Sequence, residues 1–364
     1  MKKLIVHIGH GKTGTSFLQT VFSLNKESLK QLGFEYPNHM DENLAKNGYN
    51  TFGNGRLLLK NDIQETEHDK VLYSSEFLFR KLAYETEHLA SLSNRFNLEV
   101  ILYTRDVIEH SVSKWGQYVK QGGGFQDLNT FLTHNYNDVL PTVLEWIRLS
   151  KDIGFTLNLR NYSKCKSSLV DDFFRNVLQI QGKIKNLNLP SQRVNRSLSF
   201  SEYEIQRVFN AAFGVTSSNY ISDFLYHEFP SVAPYKPTIS EQAYDHIYNE
   251  NVGFVDSINL FLQENERLII GDKEKWVSPN KEHTVTLDNE ICMALGMNIK
   301  KNLKTIETND IDTLRDIAIT LADEHNDLSG ALSIMKIALH HRPWGNIIIN
   351  KVEQWSNILA TSDK

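Results

Sequence analysis

The stretch His7-Ile8-Gly9-His10-Gly11-Lys12-Thr13-Gly14-Thr15-Ser16-Phe17-Leu18-Gln19 decides how this chain is read. It continues Leu4–Ile8, a compact apolar run of strand type, and opens a helical pattern with Phe17, Leu18, Val21 and Phe22 on one face. Glycines between a strand and a helix let the backbone turn tightly, so that consecutive N–H groups meet a single anion. The helix N-terminus adds partial positive charge, Lys12 a full one, and Thr13, Thr15 and Ser16 add hydroxyl donors. A Gly/Thr turn before a helix can also be simple capping. Here strand, glycines, lysine, hydroxyls and helix coincide, and the expectation is a phosphate-type cradle over Gly11–Ser16.

Outward from this stretch, three further runs read as strands: Val71–Ser75, Val100–Thr104 and Phe155–Leu159. Ile108, Val112, Trp115 and Val119 make a helical face after the third of the four. Alternation of strands and helices predicts an α/β layered domain with a mostly parallel sheet. Residues 9–69, between the first two runs, exceed what one crossover helix needs. Asn47-Gly48-Tyr49-Asn50 and Gly53-Asn54-Gly55-Arg56 suit either a loop over a site or a surface excursion.

The cradle is not that of an ordinary nucleotide triphosphatase. A Walker A loop carries a glycine five residues before Gly11, and this chain has Val6 there. Val100–Thr104 runs into Arg105 before Asp106, so no predicted strand ends in a plain Asp for magnesium. Arg105 at a strand end can make a bidentate contact to a second phosphate, or serve a structural ion pair. Ser113 follows eight residues later, on a polar face with Glu109, Gln117 and Lys120.

Strand–Lys-Thr-Gly-Thr-Ser–helix, followed by strand–Arg105–x7–Ser113–helix, resembles the sulfotransferases that use 3′-phosphoadenosine 5′-phosphosulfate (PAPS), in particular the bacterial, carbohydrate-type ones. The resemblance covers roughly residues 1–215. It implies that Gly11, Lys12, Thr13, Gly14, Thr15 and Ser16 hold the 5′-phosphosulfate, while Arg105 and Ser113 hold the 3′-phosphate. It implies an adenine contact for Tyr162, in Asn158-Leu159-Arg160-Asn161-Tyr162, and a late basic loop in which Arg193 or Arg196 adds to the 3′-phosphate site. The chain departs from the pattern at Ser163, where an acidic residue often follows the Tyr, and at Val107, where Pro is frequent. The family's base sits at a strand end matching Glu76, as His or, in carbohydrate-acting members, Glu. By position alone Glu76 is equally a first-turn helix residue. Lys12 is the natural partner for the leaving PAP. His7 reads as a strand residue and His10 as a reserve contact for substrate or sulfonate.

The fold class expected is thus a P-loop-like three-layer α/β fold with a C-terminal helical extension, divided as 1–275 and 276–364. In the second part Ala331, Met335, Ala338 and Pro343 resemble half of a tetratricopeptide unit, a pattern that a lone helical pair also gives. At 364 residues the chain has ample core material, and 39 Lys+Arg against 44 Asp+Glu argue against a nucleic-acid binder. Cys165 and Cys292 show no ligand or disulfide pattern, and no run reaches the roughly 18 apolar residues of a membrane span. The reading is therefore cytoplasmic, with PAPS as donor, no required metal, and a small-molecule or carbohydrate acceptor. The polar loop at 41–60 favours a sugar or glycolipid. Nothing in the pattern bears on oligomeric state. Two rivals stay open: a nucleotide-dependent phosphotransferase and a non-catalytic PAP-binding scaffold.

Overall fold

The structure, a computed structural model, describes residues 1–39, 42–46, 51–60, 63, 66–134, 138–180, 187–190, 196–215, 221–222, 224–225, 229–277, 285, 291, 293, 295, 310–343 and 345–362. Asn47-Gly48-Tyr49-Asn50 and Arg193 lie outside them. The chain forms two units, Met1–Thr286 and Leu287–Lys364. The boundary falls later than residue 275 because Ile239 N–H donates to the Trp276 carbonyl at 2.9 Å and Ile239 bridges Val277. Those contacts tie 276–277 into the first unit.

The first unit is built on five parallel strands: β1 (Lys3–Gly9), β2 (Phe34–Glu35), β3 (Lys70–Ser75), β4 (Asn97–Thr104) and β5 (Thr156–Asn161), in the order β2-β3-β1-β4-β5. Helices cover the sheet, as the apolar runs require: Leu4, Ile5, Val6 and Ile8 of β1 are wholly buried, with Leu72 and Ile101 beside them. The chain visits β2 and β3 on one side of β1, then crosses to β4 and β5 on the other. In such sheets the crevice for a ligand lies at that reversal, beyond the carboxyl ends of the strands. Register makes those ends level, with Ile8 opposite Ser75 and Gly9 opposite Tyr103. The segments carrying Gly11–Ser16, Glu76 and Arg105 therefore leave the sheet side by side.

Two details extend the sequence reading. The two-residue β2 was not foreseen, being too short for a period. Asn54, in the turn-forming cluster, is fully buried and works as a stitch: its side chain donates to the Leu72 carbonyl at 3.1 Å and accepts from Ser74 N–H at 2.7 Å. That cluster anchors the excursion to the open edge of β3.

In the second unit, helix 310–323 and the helices Leu328–His341 and Asn346–Ser362 share a core of Ala318, Ala331, Met335, Ala338, Ile348 and Trp355. Asp327 caps the middle helix, accepting from Gly330 N–H at 2.8 Å. Among the described residues, no helix is long and apolar enough to cross a membrane.

Candidate functional site

The loop after β1 is shaped for an anion. A Cβ on Gly9 would overlap the Thr15 hydroxyl, so only glycine lets the loop fold back on itself. Lys12 and Gly14 both take left-handed backbone, at φ 74 and 78. For Gly14 this is free, but for Lys12 it is a strained state that surrounding contacts must hold. Those contacts are visible. Thr13 Oγ1 donates to the His10 carbonyl at 2.8 Å, the His10 ring meets the Gly11 carbonyl at 3.1 Å, and Arg105 donates to the Lys12 carbonyl at 3.1 Å. With three carbonyls tied back, the oxygens that would repel an anion are spoken for. The following helix, Thr15–Leu24, has no side-chain cap, and the buried Thr15 hydroxyl has no hydrogen-bond partner. Open N–H groups and a spare hydroxyl at a helix mouth are what an anion needs.

Three charged groups surround the loop. Loss of hydration lowers the pKa of the half-buried Lys12, with Arg105 acting the same way and Glu76 opposing. Glu76 is solvent-accessible at the sheet's carboxyl edge. Enough protein surrounds its carboxylate for dehydration to raise its pKa, while the Lys12 ammonium pulls it back. Its Oε2 stands 3.7 Å from where a Gly11 Cβ would lie. Arg105 reaches Glu109 at 3.4 Å and lies 5.4 Å over the Tyr162 ring.

Lys12 belongs to two cavities. One, of about 690 Å³, runs from Lys12 past Arg105, Glu109 and Ser113 to Lys166, Lys236, Lys275 and Trp276. The other, of about 720 Å³, is lined by His10, Gly11, Lys12, Ser16 and Glu76, by the exposed rings of Phe52, Phe77 and Tyr84, and by the buried Phe79. Lysines outnumber carboxylates in the first, whose lining includes one carboxylate, Glu109. Glu109 is divided among Arg105, Ser163 at 3.0 Å and Lys166 at 2.8 Å.

The expected residues thus meet in part. Gly11, Lys12, Ser16, Glu76, Arg105 and Ser113 line these cavities. Thr13, Gly14 and Thr15 do not, and Thr13, expected to offer its hydroxyl to the anion, is fully buried with that hydroxyl given to the His10 carbonyl. Arg196 does not join them. It is buried, with its guanidinium spent on Glu202 at 2.7 and 2.8 Å and on the carbonyls of Phe229, Ser197 and Leu225. Its role is to hold the start of the helix Phe200–Phe213, because a buried guanidinium needs all its donors satisfied. Lys120, expected on a polar face, is likewise buried and donates to the Arg196 carbonyl at 3.2 Å. Tyr162 stands behind the cradle, its ring 3.0 Å from where a Gly14 Cβ would lie. The aromatic walls of the first cavity are Trp115, Tyr203, Tyr235 and Trp276. Lys166, Lys236, Lys275 and Trp276 were missed; the Lys-Pro and Lys-Trp pairs on either side of the Ile239–Val277 bridge were the available signal.

Both histidines of the stretch are buried bases. His7 Nδ1 meets Ser74 Oγ at 2.9 Å among Phe22, Tyr103 and Phe173, and burial lowers its pKa to about 3. His10, edge-on to His110 at 4.7 Å, is lowered to about 4, mainly by burial and further by Arg105. Unfolding releases these rings to an ordinary pKa near 6.5, so the unfolded chain binds more protons below that value. Stability is complete above pH 6.5 and falls as pH drops toward 4, by about 1.4 kcal/mol per pH unit for each ring. The urea midpoint should therefore drop clearly between pH 7 and 5.5, where ordinary carboxylates stay ionised. A midpoint that does not move would mean that the rings are hydrated.

No protein-family model matches the chain, and no curated protein matches it.

Proposed function

We propose that the first unit is a PAPS-dependent sulfotransferase, moving a sulfuryl group to an acceptor hydroxyl of a carbohydrate or glycolipid. The observation that carries this is the meeting of two cavities at Lys12, a cationic one suited to a nucleotide with two phosphate groups and one suited to an acceptor beside Glu76. The residues fit the donor: uncapped N–H groups and the spare Thr15 hydroxyl for the 5′ end, Arg105 and Ser113 for the 3′-phosphate. In the reaction, the acceptor oxygen bonds to sulfur as the sulfur–oxygen bond to the nucleotide breaks. Glu76 takes the acceptor proton and Lys12 faces the charge left on the departing phosphate.

Calorimetry with PAP and 5′-AMP, followed by transfer from radiolabelled PAPS, tests this. PAP should bind at least about tenfold more tightly than 5′-AMP, since a charge-assisted contact is worth roughly 1.5–3 kcal/mol. Arg105→Ala should erase most of that difference, and label should reach a sugar hydroxyl in the presence of EDTA. ATP turnover abolished by EDTA, with no PAP binding, would replace the reading with a phosphotransferase. PAP binding without transfer to any acceptor would make the chain a scaffold.

A further inference from the structure

The two cavities differ in charge and in covering, and the difference narrows the acceptor. On the donor side Lys236 and Lys275 have no carboxylate partner among the described residues, so that wall keeps net positive charge. On the acceptor side the cations Arg80 and Lys81 are paired with carboxylates in or beside the lining. Arg80 pairs with Asp138, and Lys81 pairs with Glu85 at 2.7 Å. At the apex Lys12 faces Glu76, and His10 is uncharged at neutral pH. An acidic acceptor would come beside Glu76 with no cation left unpaired for it, and a basic one would find Arg80 and Lys81 already holding the neighbouring carboxylates.

The same wall leaves large rings open. Tyr84 is 76% exposed, Phe52 54% and Phe77 48%, all three lining one cavity. The Arg56 guanidinium lies 4.5 Å over the Phe52 ring and braces it. Scattered exposed rings are ordinary, but three around one opening make an apolar collar that association would cover. Gln117, Gln121 and Thr51 supply neutral hydrogen-bonding groups in the same cavity. A ring with hydroxyls fits these groups, and an alkyl or aryl tail fits the collar. The cavity's 720 Å³ is in the range of a drug-sized ligand, with room for both.

We infer that the acceptor is an uncharged glycoside with an apolar aglycone, its sugar beside Glu76 and its tail on Phe52, Phe77 and Tyr84. This rests on the sulfuryl-transfer reading. Octyl glucoside, methyl glucoside and octyl glucuronide, each offered with radiolabelled PAPS, test it beside PAP calorimetry. The octyl glucoside should exceed methyl glucoside in kcat/KM by at least about tenfold, what two buried methylenes supply, and should exceed octyl glucuronide, which has the same tail but adds a carboxylate beside Glu76. Phe77→Ala and Tyr84→Ala alter exposed rings, so they should fold; they should remove the alkyl advantage and leave PAP affinity unchanged. With PAP bound, a glucuronide that is as good or better, indifference to the alkyl chain, or transfer to another acceptor but to none of these three overturns the inference alone. PAP binding with transfer to no acceptor at all removes the sulfuryl-transfer reading as well. Absence of PAP binding removes the underlying reading, and the inference with it.

Discussion

Lys12→Ala is expected to lower kcat for sulfuryl transfer by about 10²–10³-fold, the scale seen when one preorganised donor to a developing charge is removed. The side chain is half-buried where the two cavities meet, so its charge is poorly replaced by water. The fold should survive. The Lys12 carbonyl, which Arg105 holds, is kept in the alanine variant, and alanine tolerates the left-handed backbone no worse than lysine does. PAP affinity should fall less than kcat, because the loop N–H groups and Arg105 remain. On the sulfuryl-transfer reading, the unsubstituted protein carries a second signature. Burial and Arg105 lower the Lys12 pKa, so activity should decline on the alkaline side before the ordinary lysine range near 10.5. Lys12→Arg would move that decline to higher pH if the charge is what matters. An alanine variant within about threefold of wild type would remove Lys12 from the chemistry.

What the sequence discloses here is what lies in consecutive residues. β1, β3 and β4 are apolar runs buried on both faces, and each writes itself as such. The Gly9–Ser16 loop is legible for the same reason: its glycines shape the turn where they stand. Residues that act across the fold are not legible. Asn54 has the composition of a turn, and only the placement of β3 beside it makes it a buried stitch. Arg196 has the look of a basic loop, yet Glu202, six residues on, takes its charge away from any ligand. Lys236 and Lys275 come to one wall through the crossing at Ile239 and Val277, and Lys166 joins them from the end of the short helix after β5, three segments with no shared pattern. Charge counted along a chain does not give the field in a cavity; pairing in space does.

The second large effect concerns Glu76. Glu76→Gln keeps the shape and hydrogen-bonding reach at the end of β3 and removes only the ability to take a proton. kcat should fall by about 10²–10⁴-fold, the contribution of a positioned base, with PAP affinity within about twofold of wild type. The pH profile separates a base from a mere neighbour. Dehydration raises the Glu76 pKa and Lys12 opposes it, with the raise prevailing, so the acid limb of kcat/KM should lie above 4.5. That limb belongs to Glu76, which must be ionised to act, and it should vanish in the glutamine variant. Removing Lys12 in turn takes away the charge that favours the carboxylate. The acid limb of the residual activity in Lys12→Ala should therefore move to still higher pH, a shift that no purely structural role for Glu76 produces. If Glu76→Gln keeps its rate, the proton goes elsewhere, and His10, neutral and in the same cavity, is the next group to replace.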